Sequence, residues 1–244
     1  MSSNASDLPE PEEKYYEECP THGSWLRSVY SQEQQEWHAV LPIGCPACRR
    51  DAQMRTLLQR TAIPPRFAGC TFDTFTVELP EQQKALSACR DYADDFKQMH
   101  DKGVCIVLRG NVGTGKNHLA CAIARQVSTQ GYSSVLLTVS EIIQRIRATW
   151  DRQSSETETE IIERFADINL LILDEVGRQY GSEAERITLF QVIDARYRAM
   201  QPTMVISNLL PTEIIDSLGR AAYDRLRENK GILVNFDWES HRGR

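Results

Sequence analysis

Apolar and polar positions alternate along the chain at two different scales. From residue 81 onward, apolar runs of roughly five residues recur, as buried parallel strands do. They are "VCIVLR" (104–109), "SVLLTV" (134–139), "NLLILD" (169–174), "TMVISN" (203–208) and "GILVNF" (231–236). Between them lie helical patterns near 83–99, 116–130, 140–150, 183–200 and 213–228. Strands alternating with crossover helices predict an α/β fold, a doubly wound domain with a five-stranded parallel sheet. Ligands are then expected beyond the strands' carboxyl ends.

Upstream the pattern changes. Residues 1–18 carry six acidic side chains against Lys14 and are expected to be a disordered acidic leader. Residues 19–60 hold clustered Cys, His and Trp, and 61–80, with "TAIPPRFAGCTFDTF", reads as a Pro-rich linker into the domain at 81–244.

Composition narrows the class. The 244 residues are 41% hydrophobic and 25% charged, ordinary globular values. No apolar run approaches the roughly 18 residues that cross a bilayer, and the N-terminus is acidic, so a cytoplasmic protein is expected. In that setting seven cysteines read as thiols or metal ligands. A net charge of −6 excludes a uniformly basic nucleic-acid-coating surface.

The stretch "LRGNVGTGKNHLACAIA" (108–124) carries the first chemistry. Strand, glycine loop and helix follow in that order, so Gly110, Asn111, Val112, Gly113, Thr114, Gly115, Lys116, Asn117 and His118 form a candidate phosphate cradle. Backbone N–H groups close on phosphate oxygens, the helix N-terminus adds positive potential, and Lys116 reaches the β/γ-phosphates. A Ser or Thr usually follows that lysine as a Mg²⁺ ligand; here it is Asn117, whose amide oxygen is an alternative donor. "LLILDE" delivers Asp174 to Mg²⁺ and Glu175 to the attacking water, and "TMVISN" brings Asn208 to the same strand ends. Late arginines, among them Arg225 and Arg242, are candidates for stabilising transferred phosphate. The helix "SEIIQRIRATWDRQ" interleaves Arg145, Arg147 and Arg152 with Trp150, a pattern suited to single-stranded DNA, while Ile142, Ile143 and Ile146 supply a buried face. The following "SSETETEIIE" reads as an acidic loop.

Through "IPPRF", "TFDTF", "GNVGTGKNHLA", "LLILDEVG", "VISN", "LGRAAYDRLR" and "FDWESHRGR", residues 62–244 resemble the DnaC-type helicase loaders and their AAA+ relatives, including the IstB transposition ATPases. The resemblance implies ATP and Mg²⁺ as cofactors and Gly110–Asn117 as Walker A. It implies Asp174 and Glu175 as Walker B, Asn208 as sensor 1, Arg225 as an arginine finger serving a neighbouring copy, and Arg242 as sensor 2. A domain without a helical lid is expected, since the sequence stops two residues after Arg242. The implied partners are a DnaB-type replicative helicase, single-stranded DNA and further copies of the chain. A transposition helper, or an adaptor that binds nucleotide with little hydrolysis, are the alternatives.

The N-terminal segment departs from the plain helical one of the best-known loader. Cys19 and His22 are two residues apart, as are Cys45 and Cys48, with 22 residues between the pairs. Three thiolates and an imidazole form a Zn²⁺ set that substitutes for the core so short a segment lacks. Similar zinc modules occur in Gram-positive and phage-encoded loaders, which implies that this one docks a partner protein. His38, in "EWHAV", reads better as a strand residue, and Cys70, Cys89, Cys105 and Cys121 read as core thiols.

Overall fold

The computed structural model describes residues 14–20, 23–31, 34–39, 44–46, 48, 63–151, 156–177 and 182–241. The chain divides into two compact units, residues 1–56 and 57–244.

In the first unit, β1 (Lys14–Cys19), β2 (Gly23–Ser31) and β3 (Glu36–Ala39) make an antiparallel sheet in that order. Residues 14–18, expected in the leader, are therefore strand; pairing with β2 satisfies their backbone where composition alone suggested disorder. His38 lies in β3, as its sequence suggested. The rings of Tyr15, Tyr30 and Trp37 meet edge-on or tilted, with centroids 5.5 to 6.4 Å apart. Tyr15 and Trp37 remain about half exposed, at 54% and 49%.

The second unit contains α1 (Pro80–Asp94), α2 (Phe96–Asp101), β4 (Ile106–Gly110), α3 (Lys116–Thr129), β5 (Ser134–Thr138), α4 (Val139–Ala148) and α5 (Glu158–Asp167). It continues through β6 (Leu170–Val176), α6 (Glu183–Arg198), β7 (Thr203–Ser207), α7 (Pro211–Leu218), α8 (Arg220–Arg227) and β8 (Ile232–Phe236). Five parallel strands in the order β5-β6-β7-β4-β8 form the sheet, and the expected strands all appear. From β4 the chain crosses outward to β5, returns strand by strand to β7, and then places β8 on the far side of β4. The β4/β7 neighbourhood is thus the switch point where a doubly wound sheet opens its crevice.

Sequence expectation fails in five further places. The patterns at 83–99 and 213–228 each contain two helices, separated at Asp95 and at Gly219. The acidic stretch expected as loop begins α5: Thr157 and Glu160 cap each other's backbone N–H, and Ile161 and Phe165 bury one face. The supposed linker 61–80 is part of the domain where it is described. Phe72 and Phe75 belong to the main core cluster, and Ile63 and Phe67 pack against it. Cys70, expected in the core, is only half buried.

Arg196 is the largest fully buried side chain. It donates to the carbonyls of Phe165, Ile168 and Pro202 and to Thr203 Oγ1, closing the C-terminal end of α5 onto the starts of β6 and β7. Burial pushes its pKa down to about 9, so the guanidinium stays charged at neutral pH. No described helix is long and apolar enough to cross a membrane.

Candidate nucleotide site and cysteine cluster

β4 ends centrally in the sheet and delivers the loop 110–115 to the mouth of the crevice. Gly110 has φ +139°, and a Cβ there would stand 2.3 Å from the Phe236 carbonyl oxygen. Gly115, at φ +93°, lies under Phe75, whose ring a Cβ would meet at 2.6 Å. Only glycine permits both approaches. The loop enters α3 at Lys116, which is 5% exposed and donates to the carbonyls of Gly110 (2.8 Å) and Asn111 (2.6 Å). The lysine is thus held on the loop's own backbone.

On the next strands, β6 and β7 fall out of register between Leu173 and Val176. This bulge, with Glu175 at φ +59°, re-aims Asp174 and Glu175 at the strand's carboxyl end. Asp174 Oδ1 accepts the Glu175 N–H (2.7 Å) and Oδ2 accepts Asn117 Nδ2–H (2.6 Å). Burial raises the Asp174 pKa, against the lowering effect of those two hydrogen bonds and of Lys116.

A cleft of about 620 Å³ brings together Val112, Gly113, Gly115, Lys116, Asn117, His118, Asp174, Glu175 and Asn208. Gly110, Asn111 and Thr114 are in the loop but not on the cleft wall. The sequence reading missed the opposite wall, Arg66, Phe67 and Cys70, on the turn that follows "IPP". His118 holds that segment: its ring nitrogen is 2.8 Å from the Thr71 carbonyl and 3.2 Å from Thr74 Oγ1. The Thr71/Thr74 pair within "TFDTF" was the available signal.

The Asn117 amide turns its NH₂ toward Asp174, because a carboxylate offers only acceptors. A cation between the two would require the amide to rotate and present its oxygen. One carboxylate, one amide oxygen and an open cleft for water then suit Mg²⁺, which keeps several waters. The residues present fit that ion.

Arg225 is absent from this cleft. It donates to Asp194 Oδ1 (2.5 Å) from α8 to α6, with its guanidinium over the rings of Phe190 and Tyr197 at 5.2 and 5.0 Å. Arg242 and Arg152 lie outside the described residues. Arg147 pairs with Glu185 (3.2 Å), which leaves Trp150, 58% exposed and donating to Glu158, and the half-buried Arg145 as the described remainder of the DNA candidates. Ile142, Ile143 and Ile146 are buried, as the helical pattern required.

In the first unit the Sγ atoms of Cys19, Cys45 and Cys48 lie within 4.8 Å of one another, with Cys19 and Cys48 3.4 Å apart. All three are cysteines outside any disulfide. About 3.7 Å is the sulfur spacing around a tetrahedral ion with bonds near 2.3 Å, so the cluster fits a thiolate-bound metal. Cys48 is pushed up to about 11, chiefly by its hydrogen bond to Cys19. His22 lies outside the described residues.

A family model described as "IstB-like ATP binding protein" matches residues 47–233. The replicative helicase loader DnaC of Escherichia coli K12 is 31% identical over 212 residues, covering 86% of this chain and 84% of that one. The chain belongs to the DnaC/IstB-like family of ATP-binding proteins. Among solved structures, the DnaC helicase loader superposes with a TM-score of 0.63 at 20% identity, covering 70% of this chain and 99% of that one. DnaI gives 0.60 at 18% identity, covering 74% and 94%. At these identities the superpositions speak for the fold, an AAA+ P-loop domain.

In a family of ATP-binding proteins this cleft is the candidate nucleotide site, and Asn117 is testable there. Asn117→Ala should raise the Mg²⁺ concentration needed for half-maximal ATP binding about tenfold, as loss of a metal-site partner does. Asn117→Thr should not raise it. A calorimetric ATP titration at stepped Mg²⁺ checks this; an alanine variant equal to the parent would leave Asn117 no part in holding the cation.

Proposed function

We propose that the chain is an ATP-dependent loader that binds a DnaB-type replicative helicase and helps place it on single-stranded DNA when replication initiates. The observation that carries this reading is the near full-length relationship to a replicative helicase loader. The cleft supports it by supplying the parts ATP hydrolysis needs.

In this reading the loop N–H groups and Lys116 hold the β- and γ-phosphates, Lys116 exchanging the carbonyls of Gly110 and Asn111 for phosphate oxygens. Bound Mg²⁺ would neutralise phosphate charge, held by Asp174 and the rotated amide of Asn117. Glu175 takes a proton from the attacking water, and Asn208 orients that water. Arg225, committed to Asp194 on its own chain, serves the site of a neighbouring copy. Arg242 keeps the sensor 2 role that the resemblance implies.

Cys19, Cys45, Cys48 and His22 would hold Zn²⁺, which would tie the first unit together, and its exposed Tyr15 and Trp37 face the helicase. The charged groups of this unit are mostly acidic, and Arg27 is already paired with Glu17, which makes a poor nucleic-acid surface. Single-stranded DNA meets α4 and the turn after it instead, at Arg145 and Trp150. Trp150→Ala should weaken that binding on the order of 10-fold in a filter assay if the ring stacks on a base. Unchanged affinity would remove this surface from the DNA path.

Helicase co-purification tests the partner. The parent should carry about one Zn²⁺ per chain and retain the replicative helicase of its source cell on a column. Cys45→Ser should lose both while still binding ATP, because the two units are built from separate cores. Retention of a transposase in place of the helicase would favour the IstB-like alternative.

Trans action of Arg225 has its own signature. Arg225→Ala should bind ATP normally and lose hydrolysis on the order of 10³-fold in the assembly. Mixing it with Glu175→Gln should restore part of the rate, since one interface then pairs an intact Glu175 with an intact Arg225. No restoration at any ratio would place the finger elsewhere or in cis.

A further inference from the structure

A phosphate cradle fixes which way each of its peptide planes faces. In a planar trans peptide the carbonyl of one residue and the N–H of the next point in opposite directions. An N–H aimed into the cleft therefore needs its partner carbonyl held on the other side. Lys116 takes the carbonyls of Gly110 and Asn111, and Thr114 Oγ1 also donates to Asn111 (2.8 Å). Those lysine contacts are given up when Lys116 turns to phosphate.

The carbonyls of Gly113 and Thr114 are held by another element, the segment that follows β8. The His241 N–H donates to the Gly113 carbonyl (3.0 Å), and Trp238 Nε1–H donates to the Thr114 carbonyl (3.1 Å). The first contact sets the plane that carries the Thr114 N–H; the second sets the plane that carries the Gly115 N–H. Asn111 completes the joint, its backbone N–H donating to the Phe236 carbonyl (3.1 Å) and its Nδ2–H to the Trp238 carbonyl (3.3 Å).

This segment is itself anchored. Trp238 is 6% exposed and lies against Phe236, with ring centroids 5.0 Å apart. Beyond it, the His241 ring nitrogen meets Nε2 of the buried Gln82 at 3.0 Å. Gln82 Oε1 in turn accepts the N–H groups of Glu78 and Leu79 at the start of α1.

We propose that residues 236–241 form a brace that presets the phosphate loop, and that Trp238 is a positioning residue for nucleotide binding through its indole N–H. None of the brace contacts has to break when Lys116 swings to phosphate, so the loop keeps its N–H groups aimed while its lysine moves. Without the Trp238 donor, the Thr114–Gly115 plane is free to turn, which withdraws the Gly115 N–H and presents a carbonyl oxygen to the phosphate.

The inference rests on the nucleotide site described above, and the test separates the two. ADP affinity is measured by calorimetry for the full chain, for Trp238→Phe, and for a chain carrying the sulfur isostere benzothienylalanine at position 238. The isostere keeps the shape of the ring and removes only the N–H, so it answers the question even where the phenylalanine variant folds poorly. Both variants should bind ADP about tenfold more weakly than the parent, the scale of one lost hydrogen bond. The isostere should melt within a few degrees of the parent. An isostere that binds ADP as tightly as the parent would overturn the brace alone. A parent that binds no ADP would overturn the nucleotide site and the brace with it.

Discussion

A binding site made of backbone N–H groups is only as good as the restraint on the carbonyls behind them. In this chain that restraint reaches far from the loop. The central position of β4 puts Gly110 against the Phe236 carbonyl of β8, and the chain beyond β8 supplies two of the donors that face the loop from behind. Residues more than a hundred positions apart in sequence thus share one hydrogen-bonded joint. The order of strands is what makes it possible: had β8 added at the β5 edge, its continuation could not reach residues 111–114.

The same sheet explains the division of labour inside the cleft. Strand ends supply the parts that must be fixed: the loop after β4, the carboxylates of the bulged end of β6, and Asn208 after β7. The parts that must move are side chains with a second, local partner in this conformation. Lys116 rests on loop carbonyls, the Asn117 amide on Asp174, and Arg225 on Asp194. Each hydrogen bond is replaced, on the proposed function, by one to phosphate, cation or a neighbour, so the transition costs little net hydrogen bonding.

Much of this was legible in the sequence, because buried parallel strands read as continuous apolar runs and the glycine loop sits where strand meets helix. What escaped depended on pairings that no local pattern encodes. The bulge that aims Asp174 and Glu175 is a property of β6 against β7. Buried Arg196 reads as an ordinary helix arginine until its three carbonyl partners come together. Phe72 and Phe75 sit among Thr, Gly and Asp and look like loop residues, yet they roof the main core and one covers Gly115. The helix α5 was within reach, since Thr157-x-x-Glu160 ahead of Ile161 and Phe165 is a helix start, but the density of acidic residues hid it. Asn117 was identified by position, whereas its orientation came only from the carboxylate across the cleft.

The central claim is that nucleotide held in this cleft drives placement of a helicase on DNA. Its most direct measurement is helicase activity on closed circular single-stranded DNA coated with single-strand-binding protein and bearing an annealed oligonucleotide, using the replicative helicase of the source cell. The account predicts displacement of the oligonucleotide when the parent chain and ATP are both present, and almost none when Lys116→Ala replaces the parent. Equal displacement with Lys116→Ala, or with no loader at all, would contradict it.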